Sequence, residues 1–469
     1  MTAAAAQAHA AQPTDRHLSR SPTVWLSLGI GAEIFSGNWK YLGVPVGLDR
    51  ILLAAGLAGL VLGGARAVSE QGLRLRPLHY VLLAAATYAT ASAIAANTFA
   101  QSDGGFALLD RFGLIPFLMF FIAPLAFGRR DQRNILLGVL VAVGAYLGVI
   151  AVLEGVGLGR IAFPSYINDP TIGLHYGRAR GPFVEAAADG LSLYMCGVAA
   201  VVGLTTWRSR VARYTCGVVV VLCGIGIVFT LTRAVWLGAV IGTLAAMLAS
   251  RRLRRVVLPA TVVVLLGFAA VFYLTPGLQS KVATRVEDQR PVWDRYNTTQ
   301  AAIRLFETRP LFGFGWQTFS TVGGDYLRQA DNYPLTGAGL EVHNVFLSHA
   351  AELGIIGSLL WALSLFGAVG GAILRRGPPD VDSWKLGLIA IFVGFLVVAN
   401  LGPLSYPFPN LLLWTWAGVV SASYFLTPNP RMTTDENAIE GAPPGTTAVH
   451  SRGDWLSLTA EEHGGLHTR

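Results

Sequence analysis

Apolar residues run through this chain in long stretches that short polar gaps separate. A helix needs roughly 20 apolar residues to cross about 30 Å of hydrocarbon, and most of these stretches come close to that length. The pattern therefore predicts an all-α, polytopic membrane protein with about twelve transmembrane helices. The predicted spans are 22–37, 44–64, 78–98, 111–127, 134–156, 188–206, 213–230, 233–250, 256–275, 343–373, 385–402 and 408–427.

The two ends of the chain lack this apolar pattern. Residues 1–21 are rich in alanine, and residues 428–469 are rich in Pro, Gly, Thr and acidic residues without periodicity. Such segments cannot bury enough apolar surface to fold. We expect both to be disordered, on either side of a single transmembrane domain at 22–427.

Composition and charge agree with a membrane protein. The chain has 469 residues, 53% of them hydrophobic and 13% charged, where a soluble domain has about a quarter charged. Arginine and lysine concentrate in alternate gaps, and the positive-inside rule makes those gaps cytoplasmic, together with both termini. The net charge of +8 is therefore explained by topology. No basic face is interleaved with aromatic residues, so we expect membrane lipids and no nucleic acid as partners.

One polar segment, 276–342, departs from this charge rule. It lies between the ninth and tenth spans, on the predicted extracytoplasmic side, yet it is rich in arginine. Within it we predict a helix that follows Arg290, is capped by Asp294 and ends before Pro310, lying on the membrane surface with its apolar side down. Several arginines are interpreted as a solvated face that contacts lipid headgroups: Arg295, Arg304, Arg309 and Arg328.

Arg233 follows a tight turn, Thr230-Leu231-Thr232, between two apolar spans. A charge among apolar residues in a membrane costs several kcal/mol unless it is paired or reaches the interface, and such residues are commonly functional. The alternative is an arginine that extends to lipid phosphate. Both interpretations remain open for Arg233 from the sequence.

His343 is the first residue of the tenth predicted span. A straight helix from His343 to Arg375 would extend about 45 Å, which places His343 near or above the outer headgroups, at the depth of a lipid-linked phosphate. A histidine at a helix end can also be a cap or a surface residue. Glu352 would lie on the opposite side of a regular helix, so we do not expect it to pair with His343.

The candidate chemistry follows from arginines and a histidine on one side of the membrane. The sequence has no zinc-ligand spacing and no Gly-rich phosphate loop. Arginine forks bind diphosphate oxygens without a metal, and a neutral histidine can accept a proton from an attacking hydroxyl. We therefore predict no metal and no other cofactor.

Four motifs resemble those of the O-antigen ligase/O-antigen polymerase superfamily. They are Thr230–Arg233 with the following Ala234–Gly238, Arg290–Trp293, Pro310–Gly315, and His343-Asn344 with Leu347, Glu352, Gly354 and Gly357. The resemblance covers approximately residues 180–400. It implies a metal-independent, inverting transfer of glycan from an undecaprenyl-diphosphate carrier to a glycan or lipid acceptor, at the outer face of the cytoplasmic membrane.

The resemblance also implies roles for individual residues. His343 corresponds to the essential histidine of the superfamily, and Arg233 and Arg290 correspond to its diphosphate-binding arginines. Arg180 resembles the arginine of an Arg-x-Gly-x-Phe loop, although residues 184–189 depart from the superfamily's continuation. Members differ in acceptor, so ligase and polymerase both remain open.

Two other functions fit the same sequence. A transporter or flippase for a lipid-linked or anionic substrate would explain the many spans and the outer arginines, and it would need charges or broken helices near the middle of the membrane. A non-catalytic scaffold of a polysaccharide export complex would need only surface. Replacing arginines separates these functions, because a scaffold tolerates the loss of Arg233 and Arg290.

Overall fold

The computed structural model describes residues 21–67, 73–251, 253–275, 277–287, 289–328, 341–403 and 406–426. These residues form helices and connecting turns, and the only pairing of β type among them is an isolated bridge between Leu73 and Leu426. The all-α prediction is confirmed for this part of the chain. The segments predicted to be disordered lie outside it, apart from Ser21.

Short 3-10 and π turns and irregular loops join the α-helices. In chain order the helices are α1 (Ser21–Ala32), α2 (Leu48–Ala67), α3 (Pro77–Ala95), α4 (Ser102–Ala107), α5 (Leu114–Phe127), α6 (Arg130–Gly155), α7 (Ala186–Thr206), α8 (Arg210–Phe229), α9 (Arg233–Ala249), α10 (Val257–Leu274), α11 (Leu278–Glu287), α12 (Arg290–Thr308), α13 (Phe319–Tyr326), α14 (Val345–Leu365), α15 (Gly371–Leu374), α16 (Asp382–Ala399), α17 (Pro407–Val420) and α18 (Ala422–Phe425).

Each of the twelve predicted spans overlaps at least one of these helices, but the count of twelve crossings is not confirmed. Within the described ranges, seven helical segments are both long and apolar enough to cross a membrane. They are Pro77–Ala95, Gly104–Phe127, Arg130–Gly155, Ala186–Thr206, Arg210–Phe229, Val345–Leu374 and Pro379–Ala399. Two shorter apolar helices are Pro22–Phe35 and Arg233–Ala249.

Helices α9 and α16 pack closely because glycines face each other at their crossing. A Cβ atom on Gly238 would come within 2.9 Å of the Gly394 carbonyl oxygen, and one on Gly242 within 2.4 Å of the Ala390 carbonyl oxygen. Small residues four positions apart let helix backbones approach in this way. The crossing fixes the position of α9 and hence of Arg233, its first residue.

Helix α14 is interrupted at Gly354, whose φ of 65° and ψ of −171° are not helical. The Pro310–Gly315 turn fills the interruption. Ile355 N–H donates to the Pro310 carbonyl (2.7 Å) and Ile356 N–H to the Leu311 carbonyl (3.4 Å). The main-chain groups that the break releases on one side of α14 are therefore bonded by the turn.

The turn also forms hydrogen bonds with the main-chain groups on the other side of the break. Phe314 N–H donates to the Ala351 carbonyl (3.3 Å) and Gly315 N–H to the Glu352 carbonyl (2.7 Å). Unpaired backbone groups are costly in a membrane, so four hydrogen bonds make the broken helix tolerable. The Pro310–Gly315 motif and the helix break at Gly354, which belongs to the His343 motif, are therefore hydrogen-bonded to each other.

The helix within segment 276–342 differs from its prediction in start and in packing. Helix α12 begins at Arg290, not after it, and Asp294 is not its cap; Pro291 in the first turn favours the earlier start. Its apolar side does not lie on the membrane surface. Ala301, Ala302 and Leu305 are buried against residues of α13 and α14.

We predict that Gly354→Ala lowers the melting temperature of the purified protein. A Cβ at this position would lie 2.3 Å from the Leu311 carbonyl oxygen, and an L residue is strained at this φ and ψ by about 1–3 kcal/mol. Gly224→Ala is the matched control, because nothing lies within 4 Å of its Cβ position. Equal melting temperatures for the two variants would contradict the proposed importance of the turn.

Candidate functional site

Arg233 begins α9 directly after the predicted tight turn. The turn is closed by hydrogen bonds from the Thr230 hydroxyl to the Ile227 carbonyl (2.7 Å) and from the Thr232 hydroxyl to the Thr230 carbonyl (3.0 Å). Trp236 Nε1 donates to the Ile227 carbonyl as well (2.8 Å). Arg233 itself is exposed at the end of this rigid turn, where an anionic ligand can reach it.

Helix α12 contains two arginines that bear on the candidate site, Arg290 and Arg295. Arg290, the predicted diphosphate ligand, is its first residue, and the side chain of Arg290 lies outside the described part of the structure. Arg295, which the charge pattern assigned to a lipid-facing surface, interacts electrostatically with both Arg233 and His343. Arg295 therefore lies within electrostatic range of both the turn before α9 and the residues before α14.

Arg295 interacts electrostatically with residues from two other parts of the chain, Arg233 and His343. Although Arg295 is exposed to solvent, the protein atoms around it lower the pKa of its guanidinium, and the positive charge on Arg233 lowers this pKa further. Arginine nevertheless stays protonated near neutral pH. Two fixed positive charges held close together form an environment that an anion stabilises.

His343 lies just before α14 and is not its first helical residue, in contrast to the prediction from the apolar pattern. Asn344 is the cap, and its side-chain oxygen accepts the Leu347 N–H (3.0 Å). The amide nitrogen of Asn344 donates to the side-chain oxygen of Asn400 at the end of α16 (3.2 Å). Because α16 packs on α9, the start of α9 with Arg233 and the start of α14 with His343 keep fixed positions relative to each other.

The hydrogen bond of His343 defines its neutral tautomer. Nδ1 lies 3.1 Å from the Glu341 carbonyl oxygen, and a carbonyl oxygen only accepts hydrogen bonds. Nδ1 therefore carries the proton, and Nε2 keeps its lone pair in the neutral ring. A histidine oriented by such a bond has the nitrogen that a general base needs available.

The surroundings of His343 favour the neutral ring. Burial lowers the pKa of His343 below its ordinary value, and the positive charge on Arg295 lowers it further, while the bond to Glu341 opposes these effects. The unperturbed pKa of histidine is about 6.5, so the neutral form dominates at pH 7. His343 can accept a proton under these conditions.

A second group of polar residues adjoins the arginines and His343. Tyr406 interacts with Arg295, and its hydroxyl is hydrogen-bonded to Glu185. Burial and the charge on Glu185 raise the pKa of Tyr406 well above its ordinary value. Glu185 also contacts His175 Nδ1 (2.9 Å) and caps α7 through the Ala188 N–H (2.7 Å). The tyrosine stays protonated and links the 157–185 loop to the site.

Glu352 does not pair with His343 in the structure. Its carboxylate accepts the N–H groups of Gln317 and Phe319, both at 3.1 Å. Glu352 therefore holds the chain that follows Gly315 and the start of α13 against α14. The helical spacing correctly predicted that Glu352 does not pair with His343. It did not indicate what Glu352 binds instead.

Arg180 is buried and its guanidinium is engaged by backbone carbonyls. It donates to Ile167 (3.2 and 2.7 Å), Asp169 (2.6 Å) and Ile172 (2.7 Å). The Glu154 carboxylate accepts its backbone N–H (3.2 Å). These contacts organise the 157–185 loop, and no described contact brings Arg180 to Arg233, Arg295 or His343.

The sequence did not indicate a role in the site for four residues that interact with the site residues or with their neighbours: Arg111, Glu185, Arg295 and Tyr406. Arg295 belonged to the right segment but lay outside the Arg290–Trp293 motif. Tyr406 precedes the predicted span 408–427, and Arg111 is the first residue of the predicted span 111–127. Neither residue belongs to a motif that indicates a functional role. Among the described residues, no group of three or more His, Cys, Asp or Glu side chains is suited to hold a metal ion.

Comparison with known proteins gives a family match. Residues 218–362 match the family model for O-antigen ligase, a segment that contains Arg233, Arg290, Arg295 and His343 but not Arg180. The resemblance to the O-antigen ligase/polymerase superfamily is confirmed over these residues, and it supports membrane glycan transfer of this type. No curated protein matches the chain.

We predict that His343 titrates below pH 6.5 and that Arg295→Gln raises its pKa. Removing a nearby positive charge makes protonation of the ring easier. The pH dependence of His343 modification by diethyl pyrocarbonate, read by peptide mass spectrometry, measures this pKa without requiring activity. Arg304→Gln on the same helix is the control. An unchanged titration in Arg295→Gln would show that the two charges do not interact.

We also predict that Arg180→Gln destabilises the protein more than Arg160→Gln. Arg160 is exposed, whereas Arg180 loses several bonds to carbonyls that then stay buried, and one bond to a charged group is worth about 1.5–3 kcal/mol. Thermal unfolding of the purified variants measures the difference. If Arg180→Gln unfolds at the wild-type temperature, the guanidinium does not support the loop.

Proposed function

We propose that the protein transfers or polymerises glycan from an undecaprenyl-diphosphate carrier onto an acceptor hydroxyl at the outer face of the cytoplasmic membrane. The observation that carries this proposal is the electrostatic interaction of Arg295 with both Arg233 and His343, which come from three separate elements within the matched segment. Both termini are then cytoplasmic, as the distribution of arginine and lysine predicts.

The arginines would hold the diphosphate of the donor. Arg233 and Arg295 offer two guanidinium forks, which bind phosphate oxygens in two-point contacts. Negative charge grows on the diphosphate as the glycosidic bond breaks, so these contacts strengthen toward the transition state. Arg290, at the start of the same helix as Arg295, is a further candidate for this role. Two arginines can take the place of a divalent ion, which makes the transfer independent of metal.

His343 would act as the general base. Its Nε2 takes the proton of the acceptor hydroxyl, the hydroxyl oxygen forms a bond to the anomeric carbon, and the bond from that carbon to the diphosphate oxygen breaks. The electron pair of the broken bond leaves with the diphosphate. A single displacement of this kind inverts the configuration of the anomeric carbon.

Arg180 has a different role in this proposal from the one its motif implied. Its guanidinium donors are used by carbonyls of the 157–185 loop, so few remain for a diphosphate. We propose that Arg180 positions this loop, which reaches the site through Glu185 and Tyr406. The arginine then supports the site without touching the donor.

One feature of the structure favours the transporter alternative, namely the interruption of helix α14. Broken helices in transporters expose backbone groups that coordinate substrate or ions. Here the Pro310–Gly315 turn bonds the groups at the break, which leaves them unavailable to a substrate. The family match favours glycan transfer over this alternative.

We predict that His343→Ala reduces transfer by about 10²–10⁴-fold, the usual contribution of a general base. Arg233→Ala and Arg295→Ala should each reduce it at least about tenfold, because one charge-assisted bond contributes roughly 1.5–3 kcal/mol. The assay follows transfer from a lipid-diphosphate-linked oligosaccharide by purified protein in the presence of a chelator.

Arg304→Ala is the matched control on α12. Arg304 donates to the Tyr326 carbonyl (2.9 Å) and has no contact with His343 among its described bonds, so its loss should change transfer less than threefold. Near-normal transfer by His343→Ala would contradict the general-base role. Flux of unmodified substrate across sealed vesicles, without transfer, would favour the transporter.

A further inference from the structure

A small recess lies at the far end of the long helical segment that follows His343. The segment Val345–Leu374 is long and apolar enough to cross a membrane, and Arg375, the residue directly after it, lines the recess. Lys385 of α16 and Tyr424 of α18 also line it. This end of the segment is opposite to the candidate site, on the side that the positive-inside rule predicts to be cytoplasmic. We call this space the basic recess.

Two arginines at the basic recess lie over the same aromatic ring. The guanidinium carbon of Arg375 is 4.0 Å from the centroid of the Tyr424 ring, and that of Arg76 is 4.7 Å from it. Arg76 precedes α3, and its segment is tied to α18 because Arg74 N–H donates to the Phe425 carbonyl (2.8 Å). Cation–π contacts attract a guanidinium to a ring. One ring therefore keeps two positive charges from distant parts of the chain near each other.

A third positive charge lies beside these arginines. Lys385 Nζ donates to the Arg375 carbonyl (2.7 Å), which uses one of the three donors of the ammonium group. Within the described ranges, the ion pairs of the protein do not include Arg76, Arg375 or Lys385. The three charges are therefore not balanced by a carboxylate of the described structure.

Two aspartates lie near the basic recess, and neither neutralises it. Asp380, next to Val381 of the wall, is paired with Arg133. Asp382 lines the recess but is exposed, and the wall contains a further basic residue, Arg376. Positive charge therefore remains in excess, and an anion stabilises such an environment.

Side chains that face lipid adjoin the basic recess. Leu374 is 84% exposed and Leu75 is 57% exposed, and they directly precede Arg375 and Arg76 in the sequence. Leu374 also ends the segment that is long enough to cross a membrane, so the arginine after it lies at the depth of the lipid headgroups. Apolar and basic side chains in this order suit a ligand that combines acyl chains with a phosphate.

The size of the basic recess limits which part of a ligand enters it. Its volume is about 10 Å³, which is about the space that one water molecule needs. One phosphate oxygen fits inside, while the rest of a headgroup stays at the surface among the basic side chains. A nucleotide or a sugar ring is too large to enter.

We propose that the basic recess binds the phosphate of an anionic phospholipid, in the leaflet opposite the candidate site. Arg375 and Lys385 contact the phosphate oxygens, Arg76 adds positive charge beside the headgroup, and the acyl chains lie against Leu374. The bound lipid connects the start of α3 with α16 and α18. It therefore stabilises the folded bundle, because a ligand that binds only the folded state raises its stability.

Native mass spectrometry of the full-length protein in detergent measures this binding without requiring activity. The probes are phosphatidylglycerol, which is anionic, and phosphatidylcholine, which has a phosphate but no net charge. The wild type should bind phosphatidylglycerol at least about fivefold more tightly, the effect of one basic residue at a lipid headgroup. Arg375→Gln and Lys385→Gln should each reduce this preference about fivefold.

Two controls separate lipid binding from a structural role. Arg210→Gln removes an exposed arginine at the start of α8, on the same predicted side but outside the basic recess, and should keep the preference. Arg375→Lys keeps the charge and should keep most of it. Phosphatidylglycerol should also raise the melting temperature of the wild type more than that of Lys385→Gln.

Three results would overturn the proposal. Equal binding of the two lipids by the wild type would show that the basic recess does not select an anionic lipid. An equal loss of preference in Arg210→Gln would show that only the overall charge matters. Displacement of phosphatidylglycerol by an excess of inorganic phosphate would assign the basic recess to a soluble phosphate. None of these results would affect the proposed function, because the test does not involve Arg233, Arg295 or His343.

Discussion

The exchange of four hydrogen bonds between the Pro310–Gly315 turn and the break in α14 at Gly354 is the contact on which the site depends. It fixes the end of α12 against α14, and α12 carries Arg295 while α14 follows His343. Without this exchange the backbone groups at the break would be unpaired among apolar helices, at a cost of several kcal/mol each. The chain thus couples a requirement of stability to the placement of its candidate catalytic groups.

A second set of contacts positions Arg233 relative to His343. The glycine crossing holds α9 on α16, and the end of α16 is tied to the start of α14 by the bond between Asn344 and Asn400. Arg233 and His343 are therefore connected by two helices and one side-chain bond. Neither residue is held by the other, so each can meet a ligand while the framework stays in place.

The sequence predicted where the helices lie, but it predicted less well what each helix packs against. The apolar stretches located every predicted span on a helix, because hydrophobic length is a local property. Ala301, Ala302 and Leu305 showed that α12 has an apolar face, but the pattern could not say that this face meets α13 and α14 instead of lipid. Arg295 is exposed, as the pattern predicted, but the pattern could not show its electrostatic interaction with Arg233 and His343. The interruption at Gly354 was hidden within an apolar run because its bonding partners come from Pro310–Gly315.

The motifs contain residues that serve the structure as well as residues that serve the chemistry. Glycines at 313 and 354 are needed where two backbones approach too closely for a Cβ, and Glu352 is needed where N–H groups of the chain after Gly315 require an acceptor. These residues shape the site without taking part in the chemistry. His349 also serves the structure, because its ring packs against the rings of Trp316 and Trp361 inside the helix bundle.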